Sequence, residues 1–274
     1  MKTKITFYKS SSGIIANNEP LENIQQFIEA IDYFRDTFHE DQLWYRGVSH
    51  ARYELIPKVY RDRLWEKHED FEWWLFVTFK TRARAYIANH HNYSEWDWYF
   101  TMQHYGLPTR LLDWTRAALI ALYFAVRNPE DTYLPSVYII NPYWIDETAH
   151  NKCKDEGRVY ITDIKNISDE HCSLLSQYLG TRKEAPPFPL CLEPPSINCR
   201  IQAQHSMFTI HGKYINPFKH IAKNVTEPKI AKIRLNTGSA YQIKYQLDGM
   251  GVSEATLFPD LEGLSRDIIT KRGI

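Results

Sequence analysis

The amino-acid sequence predicts an α+β fold in a single domain, with a small mixed or antiparallel β core flanked by helices. Three observations carry that expectation. Apolar residues recur at helical spacing through long stretches of the first half. Short runs rich in β-branched and aromatic residues punctuate the chain at 43–45, 136–140, 200–203, 208–210 and 229–235. Residues 183–196 hold Pro186, Pro187, Pro189, Pro194 and Pro195, five of the fourteen prolines, so this stretch predicts a long loop. Strand-forming sequence continues after it, which favours one domain over a boundary there.

The elements follow in order. Asn18-Glu19-Pro20 opens a helix, with Pro20 suited to its first turn. Leu21, Ile24, Phe27, Ile28, Ile31, Phe34 and Phe38 then give one apolar face to about His39. Residues 1–40 are therefore expected to be a helical segment packing on a core domain of residues 41–274. Leu43-Trp44-Tyr45 reads as a short strand ending in Arg46-Gly47. A second helix is expected over 66–89, where Phe71, Trp74, Leu75 and Phe79 keep the period. A third starts near Glu95, carries Trp96, Trp98, Tyr99 and Met102, and stops at Gly106 with Pro108 beyond. Asp113 and Thr115 are both good N-cap residues for the apolar helix that follows. No internal repeat or low-complexity segment stands out.

Lys plus Arg and Asp plus Glu both total 33, a formal net charge of zero that disfavours a nucleic-acid backbone as partner. A local basic pocket for a phosphorylated ligand stays compatible with it. The four cysteines, Cys153, Cys172, Cys191 and Cys199, lack zinc-site spacing, so no metal is expected and His171 beside Cys172 reads as chance. They suit reduced thiols of a cytoplasmic protein. The first residues lack an apolar leader core and no run approaches membrane-spanning length, so no membrane partner is expected.

Three groups of residues are able to carry chemistry. Arg46 after a strand suits a bidentate grip on phosphate or carboxylate, with Gly47 allowing close backbone approach. From Trp44-Tyr45-Arg46-Gly47 alone, a structural ion pair with an acidic neighbour is the favoured reading. Between Gln103 and Thr115 the chain crowds Gln103, His104, Tyr105, Thr109, Arg110, Asp113, Trp114 and Thr115 into one short segment. Such density reads as a site delivered by a loop. The alternative assigns Asp113 and Thr115 to capping, Arg110 to a salt bridge with Asp113, and His104 to a core hydrogen bond. Finally, Gln202 and Gln204 flank Ala203, and strand alternation would turn both amides to one face, to grip a ribose or amide ligand or, more commonly, to knit neighbouring loops.

These residues resemble the FRG domain family, named for a Phe/Tyr-Arg-Gly motif. Tyr45-Arg46-Gly47 matches that motif. Gln-His-Tyr-Gly-Leu-Pro-Thr-Arg-Leu-Leu-Asp-Trp-Thr at 103–115, with the following Ala-Leu-Tyr-Phe-Ala, is similar almost residue for residue. Arg200-Ile201, Gln204 and Phe208 resemble its third block. The resemblance spans about 45–210 and supplies a family more than an activity.

The order of blocks is also similar to that of ADP-ribosyltransferases of the arginine-serine-glutamate type, and that resemblance implies a chemistry. NAD would be the substrate, and a macromolecule the acceptor of ADP-ribose, or water in a glycohydrolase. Arg46 would hold the NAD phosphates or nicotinamide ribose. Asp113-Trp114-Thr115 would stand for the Ser-Thr-Ser element, and Gln202-x-Gln204 for the closing Gln-x-Glu. The implied catalytic set is Arg46, His104, Asp113, Thr115 and Gln204, with His104 as base for an acceptor. Gly47, Gln103, Tyr105, Thr109, Arg110, Trp114 and Gln202 would contact the nucleotide. At Gln204 an amide stands where the family has a carboxylate, so Asp113 would serve instead, or the domain binds without turnover. The second expectation is a recognition module for a nucleotide or protein. Either would suit a bacterial or phage conflict system.

Overall fold

The computed structural model describes residues 5–61, 70–87, 90–154, 172–179, 185–195, 198–223 and 225–272. The chain opens with a hairpin, β1 (Phe7–Lys9) and β2 (Ile15–Asn17), followed by α1 (Ile24–Phe38) and β3 (Trp44–Val48). Next come α2 (Lys58–Arg61), α3 (Phe71–Ala83), α4 (Glu95–His104), β4 (Leu111–Thr115) and α5 (Ala118–Val126). β5 (Ser136–Ile140), α6 (Pro142–Lys154), α7 (Cys172–Leu179), β6 (Leu190–Leu192), α8 (Cys199–Ala203) and β7 (Ser206–Ile210) follow. The remainder is α9 (Pro217–Lys223), β8 (Ile230–Arg234), α10 (Ala240–Gly249), α11 (Glu254–Leu257) and α12 (Leu261–Arg272).

The described strands form one mixed sheet in the order β1-β2-β8-β5-β3-β4-β7-β6. Only β2 and β8 run parallel; the other neighbours are antiparallel. The fold is thus α+β, as the sequence predicts. On one face Tyr45, Val137, Ile139, Ala231 and Ile233 pack under α1, α5 and α10. Further along that face Leu111, Phe208 and Ile210 pack under α3, α4 and α7. The opposite face buries Trp44, Leu112, Trp114, Tyr138 and Ile140 against Ile145 of α6 and Phe218 of α9. One face therefore carries two groups of helices, and they part above β3 and β4.

Several expectations change. The first helix starts at its N-cap Asn23, whose side chain accepts from Gln26 N at 2.9 Å, and not at Pro20. Leu21 is instead bridged to Leu235. Residues 5–17 add a hairpin at one end of the sheet to a segment expected to be helical, because pairing of β2 with β8, and of β1 with β2, overrides their weak local pattern. The helix expected over 66–89 is α3 and ends at Ala83; residues 62–69 and 88–89 lie outside the described ones, as does His171. α4 starts in a capping box between Ser94 and Asp97, and Gly106 beyond it takes a left-handed φ of 79°. β6 occupies the middle of the proline-rich stretch, paired to β7.

Two misreadings bear on the site. Asp113 and Thr115 do not cap a helix; they sit in β4, registered against Phe208 and Ser206 of β7. The helix begins after Ala117, which makes no side-chain cap bond. Residues 199–203 are a helix and no strand, initiated by Asn198, whose side chain accepts from Ile201 N at 2.9 Å.

Gly47 lies within β3 and makes no tight turn. A Cβ there would stand 1.9 Å from Ala121 O and 2.6 Å from Ala125 N, so its missing side chain is what lets α5 rest on the sheet. Gly47→Ala must push a helix backbone away, and we expect it to cost about 1–3 kcal/mol of stability. The denaturation midpoint reads this directly; an unchanged midpoint contradicts the packing role.

Candidate functional site

Where the two helix groups part, a cavity of about 490 Å³ opens over the middle of the sheet. That volume lies in the range of small-molecule sites. Its origin is a break in strand pairing. β3 and β5 pair over five registers, and so do β4 and β7, but β3 meets β4 only at Tyr45 and Thr115. Past that pair Arg46 reaches across, and its Nη1 donates to the Asp113 carbonyl at 2.6 Å. A side chain thus satisfies main-chain hydrogen bonding where the ladder lapses.

Arg46, Gly47, Gln103, His104, Asp113, Trp114, Thr115 and Gln204, all expected from the sequence, line this cavity. Asp113 is its central carboxylate. Its side chain is 54% exposed, held by Gln103 Nε2 at 3.1 Å on Oδ1 and by Arg46 Nη1 at 3.4 Å on Oδ2. The Thr109 hydroxyl donates in turn to the Gln103 carbonyl oxygen, which fixes the amide so that its N–H₂ faces Asp113. Burial lowers the Arg46 pKa from its ordinary value, while the Asp113 charge opposes that shift. His104 is half-buried; burial first, then the Arg200 charge, hold its pKa below the usual histidine value, with Asp260 opposing.

Thr115 and Gln204 use their polar atoms internally. Thr115 Oγ1 donates to the Gln204 carbonyl at 2.7 Å and accepts from Ala117 N at 3.0 Å. Gln204 terminates α8, and its Nε2 donates to the Leu257 carbonyl at 3.0 Å. This amide therefore ties α8 to α11 from the cavity wall. Trp114 turns its indole to the opposite face, where Nε1 donates to Thr209 Oγ1 at 3.0 Å and the ring packs on Phe218.

Four expected contacts lie off the cavity. Gln202 is exposed, because two residues apart on a helix point about 200° apart, where a strand would have aligned it with Gln204. Tyr105 caps α4 and is 66% exposed to solvent. Thr109 is buried behind Gln103. Arg110 pairs with Glu72 rather than Asp113, Nε to Oε2 at 2.6 Å, both side chains being 4% exposed. Its neighbour Tyr99 also donates to Glu72. Arg110 and Thr109 thus hold the segment that delivers Asp113.

The sequence reading missed a second wall. Phe124, Arg127, Asn128 and Asp131 come from the end of α5 and beyond; Arg200 and Ile201 come from α8, and Phe258 follows α11. Arg127 Nε donates to Glu254 Oε2 at 2.9 Å, and Tyr123 OH donates to the same oxygen at 2.7 Å. The guanidiniums of Arg200 and Arg127 lie 4.1 and 4.4 Å from the Phe258 ring centroid. Arg200 had a signal, standing in the third block of the FRG resemblance with Gln204. Phe258, far along the chain, had none.

Among the described residues no group of three or more His, Cys, Asp or Glu is placed to hold a metal ion. No helix among them is long and apolar enough to cross a membrane. Residues 41–133 match the sequence model of the FRG domain, a span that holds β3, α4, β4 and α5 but ends before α8. No match was found among curated proteins or among solved structures.

Proposed function

From the premise of an FRG domain at residues 41–133, we propose that this protein binds an NAD-type nucleotide in the cavity between β3 and β4 and transfers its ADP-ribosyl group. The acceptor is a macromolecule, or water in the glycohydrolase variant of the same reaction. One observation carries this reading. Arg46, His104, Asp113, Thr115 and Gln204, drawn from four separate elements, surround one open cavity of suitable size.

The bond that breaks joins the nicotinamide nitrogen to ribose C1′. The electron pair leaves with nicotinamide, positive charge builds on the ribose, and the acceptor oxygen or nitrogen then bonds to C1′ and gives up its proton. A fixed carboxylate stabilises that charge. Asp113 fits this role, since Gln103 and Arg46 orient it while half of its side chain stays open to the cavity. The amide at Gln204 then holds the wall and leaves the charge to Asp113. His104, kept neutral by burial and by Arg200, lines the same cavity and takes the acceptor proton.

A second reading keeps the binding and drops the turnover, making the domain a recognition module of a defence or toxin system. The internal hydrogen bonds of Thr115 and Gln204 favour it. Incubation with NAD labelled in both halves, in the presence of a cell lysate, separates the two. Wild type is expected to release nicotinamide and label macromolecules, and Arg46→Gln to do so far more slowly while still melting cooperatively. Calorimetric binding of NAD without release supports the module. Neither binding nor release rules out both.

A further inference from the structure

Arg200 stands apart from the other cations of the cavity wall. Arg46 is engaged by Asp113, and Arg127 is clamped on Glu254. Arg200 makes no ion pair among the described residues; its guanidinium lies against Phe258 at 4.1 Å, beside those of Arg127 at 4.4 Å and Arg266 at 5.2 Å. A guanidinium over an aromatic face is attracted by the ring's electron-rich face. The Arg200 guanidinium makes no hydrogen bond or ion pair among the described residues, which leaves its fork of donors available for a bidentate grip on phosphate oxygens.

The electrostatics agree. Glu254 is shared between Arg127 and Arg266, and Arg266 also pairs with Glu262. Arg200 is half-buried, attracted by Asp260 and Glu262 and repelled by Arg266 and Arg127. Asp131 and His104 complete the ionisable groups on this side of the cavity. Burial and two like charges make the free cation costly, and a bound anion relieves that cost.

We propose that Arg200, seated over Phe258, is the anchor of a diphosphate subsite on the α8 side of the cavity, for a nucleoside diphosphate or dinucleotide whose ribose faces Asp113. This rests on the nucleotide reading above and moves the phosphate contact from Arg46 to Arg200. Arg46 is left to position Asp113.

Calorimetry on wild type, Arg200→Gln and Arg116→Gln tests it with four probes: NAD, ADP, inorganic pyrophosphate and nicotinamide riboside. Arg116 pairs with Glu193 outside the cavity wall and controls for a general loss of positive charge. Arg200→Gln is expected to weaken NAD and ADP roughly tenfold to hundredfold, the scale of lost hydrogen bonds to a charged group. Arg116→Gln should leave them unchanged, and thermal melting without ligand should show both variants folded. Equal NAD affinity in wild type and Arg200→Gln overturns the subsite and leaves the nucleotide reading intact. Arg200-dependent binding of ADP or pyrophosphate with no NAD binding supports the subsite and overturns the NAD reading. Failure of all three phosphate-bearing probes to bind wild type overturns both.

Discussion

Glu72→Gln is expected to lower the unfolding free energy by about 3–5 kcal/mol, the cost of leaving a buried charge without its partner. Glu72 is 4% exposed and accepts from Arg110 twice, from the main-chain N at 2.7 Å and from Nε at 2.6 Å. The Tyr99 hydroxyl donates to it as well. Burial by itself disfavours the charge on Arg110, but the pair with Glu72 raises its pKa above the ordinary value, so the guanidinium stays protonated. Glutamine has one acceptor oxygen and would turn an N–H₂ group toward donors, stranding a buried cation. Chemical denaturation checks this through a lower midpoint at constant slope. A loss below about 1 kcal/mol, the scale of an exposed pair, would show that the charges are hydrated in solution. Because Arg110 immediately precedes β4, the same variant should also slacken the segment that presents Asp113.

Asp113→Asn should do the reverse, sparing stability and removing chemistry. Its partner Arg46 is mostly buried, but the Asp113 side chain is more than half exposed, so the pair contributes less than about 1 kcal/mol. Asparagine can still accept the Gln103 N–H₂ and nearly preserves the shape of the wall. Under the proposed ADP-ribosyl transfer, what disappears is the negative charge where the ribose would become positive. Nicotinamide release is expected to fall by about 10²–10³, on the scale of a removed transition-state contact, with NAD affinity changed only a few-fold. Single-turnover rates beside calorimetric affinities make the comparison. Release at the wild-type rate would remove Asp113 from the mechanism and return the question to the residues around Gln204.

How far the sequence revealed the site depends on how each residue was signalled. The polar segment from Gln103 to Thr115 was conspicuous; apart from the exposed Tyr105, its expected members line the cavity or, like Thr109 and Arg110, support the segment that does. Their division of labour was hidden. Thr109 and Arg110 were expected as ligand contacts from the family resemblance, and nothing local announced Glu72, which lies 38 residues before Arg110. Gly47 looked like room for a phosphate, whereas the approaching body is α5. Gln202 was aligned with Gln204 on an assumed strand, although Asn198 was already a helix-starting signal.

The sequence by itself determined the α+β class, the long amphipathic α1, the β3, β5, β7 and β8 strands, and the tight end of α4 at Gly106. These depend on short-range periodicity and on glycine's access to left-handed backbone, both of which are written locally. Tertiary structure alone decided that Asp113 and Thr115 belong to a strand, because five-register pairing with β7 outweighs their capping preference. It alone decided that β3 and β4 part after one pair, and that Phe258 brings Arg127 and Arg200 to the opening. Such outcomes come from contacts between residues distant in the chain, whose free energies exceed local propensities and leave no periodic trace in the sequence.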